Sequence, residues 1–82
     1  MYSVRWKRSA LDQLTELWLD AENRAELNSA VDELDRLLGS SPHEVGESRT
    51  DVIRVAFCPP LGVFFYIDDA NDVVEVLRVW TF

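Results

Sequence analysis

The chain has one cysteine, three glycines and three prolines in 82 residues. A single thiol, Cys58, forms no internal disulfide, and no Cys/His spacing resembles a zinc site, so neither a cross-link nor a metal is expected to hold the fold. Cys58 reads as a small strand-end residue, because nothing beside it in sequence would activate a thiol. No apolar run approaches the ~20 residues that span a bilayer. The N-terminus, Met1-Tyr2-Ser3-Val4-Arg5-Trp6-Lys7, lacks the apolar stretch and small-residue cleavage site of a signal peptide, so a cytoplasmic location away from membranes is expected. Positive charge is scarce as well. Eight Lys and Arg against fifteen Asp and Glu give a net charge of −7, which argues against broad electrostatic binding to nucleic acid; solvated helix faces explain most of the acidity, with a basic protein partner as the other reading. The sequence has no Gly-rich phosphate loop, no nucleophile elbow and no paired carboxylates at catalytic spacing, and no cofactor is expected.

Hydrophobic residues, by contrast, make up 48% of the chain, with three Trp, four Phe and two Tyr. That is enough for one small domain over residues 1–82, expected to bury ~60–65% of its unfolded surface. Tyr2, Val4 and Trp6 alternate, as in a strand. Ser9, with Asp12 three residues on, suits a helix N-cap, followed by Leu11, Leu14, Trp18 and Ala21 at helical spacing with Leu17 beside them. A second helix starts near Asn23, with Glu26 at the capping-box position. Its stripe is Leu27, Ala30, Val31, Leu34, Leu37 and Leu38, and Gly39 fits C′. The short connection predicts an antiparallel helix hairpin on one face of a sheet.

From Arg49 onward the period changes to two. Ile53, Val55 and Phe57 alternate up to Cys58-Pro59-Pro60, Leu61 to Ile67 form a second strand, and Val73 to Trp80 a third. Asp68-Asp69-Ala70-Asn71-Asp72 misses the calcium-loop order and reads as a hairpin turn. The expected architecture is α+β: an N-terminal strand, a helix hairpin, then a three-stranded antiparallel meander. Ile53, Val55, Phe57, Val63, Phe65, Leu77 and Val79 are expected to face the helices. Arg54, Tyr66 and Arg78 occupy alternate strand positions and could share the opposite face, where two guanidiniums and a phenol would suit an anion. The competing reading pairs both arginines with Glu75 or Asp51 across strands, a contribution of roughly 0.2–1 kcal/mol. His43, beside Pro42, has no spaced partner and reads as a loop residue.

The β-α-α-β-β-β order carries a resemblance, together with Ala30-Val31-Asp32-x-Leu34-x-x-Leu37-Leu38 leading to Pro42 and Gly46. So do Arg54-Val55, Tyr66-Ile67-Asp68 and the closing Val74-x-Val76-Leu77-x-Val79-Trp80. Together they resemble the RelE/ParE family of type II toxin–antitoxin toxins, also called plasmid stabilisation proteins. The resemblance implies a compact toxin fold, a cognate antitoxin as partner, and either ribosome-dependent mRNA cleavage or inhibition of DNA gyrase. For cleavage it implies that Arg54 and Arg78, at family basic positions, stabilise phosphorane-like charge with no metal needed; Tyr66 has the right phenol chemistry but matches no family catalytic tyrosine. Gly62 and Val63 stand where ribonuclease-type members carry an arginine, and Thr81-Phe82 stand before the C-terminal basic and tyrosine residues of those members. Reduced catalysis is therefore implied, and a non-catalytic protein-interaction module of the same fold is the alternative.

Overall fold

The alternation of Tyr2, Val4 and Trp6 becomes strand β1 (Ser3–Trp6) in the computed structural model, which describes residues 1–82. Helices α1 (Arg8–Asp20) and α2 (Arg24–Ser40) follow, then β2 (Glu47–Ser48), β3 (Ile53–Cys58), β4 (Leu61–Asp68) and β5 (Val73–Thr81). The strands form one mixed sheet in the order β1-β5-β4-β3-β2. As expected for α+β, β3, β4 and β5 are an antiparallel meander. Two features were not legible in the sequence: β1 lies parallel to β5, and the two-residue β2 extends the sheet beside β3. No helix is long and apolar enough to cross a membrane.

Helix boundaries show what the local signals missed. Ser9 is not the cap of α1: the helix begins at Arg8, and Lys7 holds the N-cap position without a side-chain bond. The Lys7 N–H is tied to the Val76 carbonyl at 2.9 Å, so the chain leaves the sheet and enters the helix at that residue. The Asn23 signal is correct, with its side-chain oxygen accepting from the Glu26 N–H at 3.0 Å. Gly39, however, lies inside α2 and is not C′; the helix ends at Ser40, and the N–H of the C-cap residue Ser41 donates to the Leu37 carbonyl at 2.9 Å. A Cβ on Gly39 would meet only ordinary contacts, 3.4 Å from the Tyr2 carbonyl oxygen and 3.8 Å from Val4 Cγ2. Gly39→Ala is therefore expected to stabilise the protein by about 0.5 kcal/mol through helix propensity, read as a higher urea midpoint. A lower midpoint would mean that β1 approaches α2 too closely for a methyl group.

The core forms where α2 and the start of α1 cover the sheet. Ala10, Leu27, Ala30, Leu34 and Leu38 pack against Ala56, Leu61, Val63, Phe65, Val74, Val76 and Val79. The inward positions of α1 are Ala10, Leu14 and Leu17, with the C-cap residue Ala21 also packed against the core. Trp18, expected in that stripe, is 37% exposed. Its ring carries the Arg24 guanidinium 4.2 Å above its centroid.

The expected inward face is correct on β4 and wrong on β3. Val63 and Phe65 face the helices, and their cross-strand partners are Ala56 and Arg54. Ile53, Val55 and Phe57 therefore lie on the outer side with Tyr66, Phe64 and Gly62; Val55 is nonetheless buried there, as expected of it, whereas Phe57 is 60% exposed. Alternation shows which residues share a face but cannot choose the buried one when both faces carry hydrophobics. On β5 a bulge changes the parity: Arg78 pairs with Phe64 and Val76 with Phe65, leaving Leu77 unpaired. Val74, Val76 and Val79 are buried, instead of Leu77 with Val79.

Candidate functional site

Arg54 lies on the helix side of the sheet, beneath the loop that connects α2 to β2. Its register partner is Phe65 of the core. The loop from α2 to β2 folds over it, and the guanidinium satisfies that loop's backbone. Nη2 donates to the carbonyls of His43 (3.1 Å), Val45 (3.3 Å) and Gly46 (3.2 Å), and Nη1 donates to Ser48 Oγ (3.1 Å). Only Nε, which is buried, has no partner. The loop comes this close because Gly46 has φ +71°, and a Cβ there would stand 1.9 Å from the Val55 carbonyl oxygen. Neither Arg54 nor Arg78 forms the cross-strand ion pair with Glu75 or Asp51 that sequence allowed; the ion pairs of arginine are Arg8–Asp12 and Arg36–Glu33.

Tyr66 lies on the outer face, opposite Ile53 and Glu75, and is 38% exposed. It and Arg54 line one cleft of about 260 Å³ at the end of the sheet, which also takes in His43, Ser48, Asp51 and Asp69. Arg78 is outward too, opposite Phe64, but it lines a different cleft, with Gln13, Glu16, Asp20 and Trp80. The structure thus brings Arg54 and Tyr66 together, leaves Arg78 apart, and turns Arg54 away from the face shared by the other two.

A cluster that sequence reasoning missed adjoins the first cleft. The Tyr2 hydroxyl donates to Asp69 Oδ1 at 2.6 Å, and His43 Nε2 contacts the same oxygen at 2.8 Å. The Tyr2 and His43 rings meet edge to face with centroids 6.2 Å apart. The hydrogen bonds from Tyr2 and His43 hold the Asp69 carboxyl below its usual range, and the bond to Asp69 pushes the Tyr2 hydroxyl up. Tyr2 and Asp69 are 67 positions apart, so no spacing rule could have joined them. The sign for stability follows from linkage. A depressed carboxyl contributes stability that is present above its unfolded value of ~4 and lost as pH falls through the folded one. Unfolding midpoints measured from pH 6 down to pH 2 should therefore fall less steeply in Asp69→Asn; parallel curves would assign the cluster no part in the pH response.

The outer face is the other candidate surface. Trp80 lies flat over Gly62, where a Cβ would come 2.6 Å from the indole ring. Phe57 meets Trp80 and Phe82 edge to face at 6.2 and 5.4 Å, and Phe64 lies 4.8 Å from Trp80. Phe57 and Phe82 remain 60% and 67% exposed, an apolar patch of the kind that marks protein contacts. Chemically, the clamp on Arg54 occupies its Nη donors and leaves few of them for a phosphate, and Arg78 lines its cleft with Glu16 and Asp20. His, Cys, Asp and Glu side chains form no group of three or more placed to hold a metal ion.

The model of the ParE toxin of the type II toxin–antitoxin system parDE matches residues 4–81. A chain in the crystal structure of the toxin–antitoxin complex RelBE2 from Mycobacterium tuberculosis is 25% identical, with a TM-score of 0.82 over 99% of this chain and 91% of that one. A chain of the chromosomal ParDE system from P. aeruginosa is 18% identical, with a TM-score of 0.66 over 99% and 96%. The isolated E. coli RelE toxin is 17% identical, with a TM-score of 0.73 over 99% and 84%. No curated protein sequence matches.

Proposed function

The chain belongs to the ParE toxin family of type II toxin–antitoxin systems, and we propose that it is the toxin of such a pair, acting on a protein target by binding and not by cutting RNA. A cognate antitoxin is its partner under this reading, as in the RelBE2 complex that it resembles. Of the two targets implied by the family resemblance, DNA gyrase is favoured over the translating ribosome. The observation that carries this choice is the fate of the arginines. Stabilising a cleaving phosphate needs cations aimed at one point with donors free. Arg54 spends its Nη donors on three loop carbonyls and Ser48, while Arg78 lines a separate cleft with Glu16 and Asp20. The net charge of −7 also opposes docking onto ribosomal RNA. The exposed aromatic patch around Phe57 and Phe82 supplies the apolar area that a protein contact uses.

One feature favours the second reading, ribosome-dependent mRNA cleavage by Arg54, Tyr66 and Arg78. Arg54 and Tyr66 line a common cleft, and the Arg54 Nε has no partner. Two assays on the purified protein separate the readings: DNA supercoiling by gyrase, and cell-free translation with mRNA integrity followed on a gel. Inhibited supercoiling with intact mRNA is the expected result. Ribosome-dependent cleavage that vanishes in folded Tyr66→Phe and Arg78→Ala variants would replace it with the second reading. Silence in both assays would leave a non-catalytic interaction module.

A further inference from the structure

β5 is nine residues long, but β1 covers only Val73 to Val76 of its outer edge. The chain then leaves through Lys7, whose N–H makes the last bond of that edge, to the Val76 carbonyl. Past the bulge, the Phe82 N–H donates to the Pro60 carbonyl at 3.3 Å, on the β4 side. By strand alternation Val79 and Thr81 then direct their N–H and C=O groups away from β4. Val79 bears this out: its N–H donates to a side chain of α1, Gln13 Oε1, at 3.0 Å. A glutamine side chain ends in the same amide as a peptide bond. Gln13 Oε1 thus fills the position that the carbonyl of a neighbouring strand would take.

The space beside this edge is open and acidic. One cavity of about 260 Å³ lies between α1 and β5, lined by Gln13, Glu16, Asp20 and Val79, with Arg78 as its one cation. A second, of about 370 Å³, continues past the end of β5 between Thr81 and the α1–α2 turn, and brings in Glu22 and Glu26. Leu17 and Pro60 give the wall apolar patches between the carboxylates.

We propose that the β5 edge from Val79 to Thr81 accepts an added strand from a protein partner, an extended segment alternating apolar and basic residues, and that Gln13 is its placeholder in the free protein. Main-chain hydrogen bonds to Val79 and Thr81 give such a segment its register, and lysines or arginines reaching Glu16, Asp20, Glu22 and Glu26 give it selectivity. A second copy of this chain fits badly. Edge-to-edge pairing of two chains, each of charge −7, would set these carboxylates against each other. The inference rests on the toxin reading only in that the antitoxin would be the source of the segment.

The test is fluorescence anisotropy of the purified full chain with a labelled alternating valine–lysine peptide. The comparison probes are the same peptide N-methylated on its backbone and an alternating valine–glutamate peptide. Saturable binding of the first probe alone is expected. Thr81 is exposed and Pro is tolerated at a strand edge, so Thr81→Pro should fold and weaken binding about tenfold by removing a donor. Gln13→Ala should tighten binding roughly threefold, because no side chain has to be displaced, even though the free protein loses a hydrogen bond. A purely structural Gln13 would leave affinity unchanged or lower. Equal binding of the N-methylated peptide would reduce the site to charge alone and overturn the proposal, as would no saturable binding of any probe. Neither target nor antitoxin is in the assay, so the toxin reading can fail while this inference stands, and the reverse.

Discussion

Arg54→Ala is expected to destabilise the protein by about 2–3 kcal/mol, from the loss of charge-assisted donors to backbone oxygens that no other group satisfies. For a domain of this size that corresponds to a fall of roughly 10–20 °C in the unfolding midpoint. Three carbonyls, of His43, Val45 and Gly46, converge on a single Nη2, and Ser48 is held by Nη1. A lysine cannot span that arc, since its ammonium is a point donor and not a planar fork, so Arg54→Lys should recover less than half of the loss. The same variants bear on function. If Arg54 is a clamp, toxicity in Arg54→Ala follows the folded fraction and returns when the protein is assayed well below its midpoint. If Arg54 touches a reacting phosphate, toxicity is abolished while the protein is still folded. A midpoint within a few degrees of the parent would dispose of the clamp.

The way Arg54 escaped the sequence reading shows where pattern ends. Apart from β2, element types and order were legible because each rests on local periodicity: Leu27, Ala30, Leu34 and Leu38 are buried on α2 as their spacing predicts. The choice of buried face on β3 was not legible. Ile53, Val55 and Phe57 are the larger hydrophobics and Arg54 is charged, so polarity alone assigns Arg54 to solvent. The structure reverses this because the outer face has its own aromatic cluster, and because a loop of carbonyls closes over Arg54 in place of solvent. The bulge at Leu77 is equally silent in sequence, since it is defined by what β4 presents opposite. Tyr66 and Arg78 were placed on the correct face. The Tyr2–Asp69–His43 cluster depends on three segments distant in sequence, and it follows only once β1 is known to lie beside β5.

Gly46→Ala is expected to cost about 3–4 kcal/mol, combining a left-handed backbone with a collision against main chain. With φ at +71°, alanine pays the left-handed penalty first, and its Cβ would lie 1.9 Å from the Val55 carbonyl oxygen and 2.8 Å from its carbonyl carbon. Neither atom can yield as a side chain would, because Val55 is paired on both sides, with Glu47 of β2 and Phe64 of β4. The loop has to lift, and in lifting it draws the carbonyls of His43, Val45 and Gly46 away from Arg54. Gly46 and Arg54 are thus two halves of one device: the glycine lets the loop descend and the arginine holds it there. Urea unfolding of the single and double variants measures this coupling. In the Arg54→Ala background the loop is already released, so Gly46→Ala should cost about 1 kcal/mol less than it does alone. Additivity within ~0.5 kcal/mol would mean that the loop keeps its position without the arginine, and would return the Arg54 guanidinium to the list of groups free to act on a ligand.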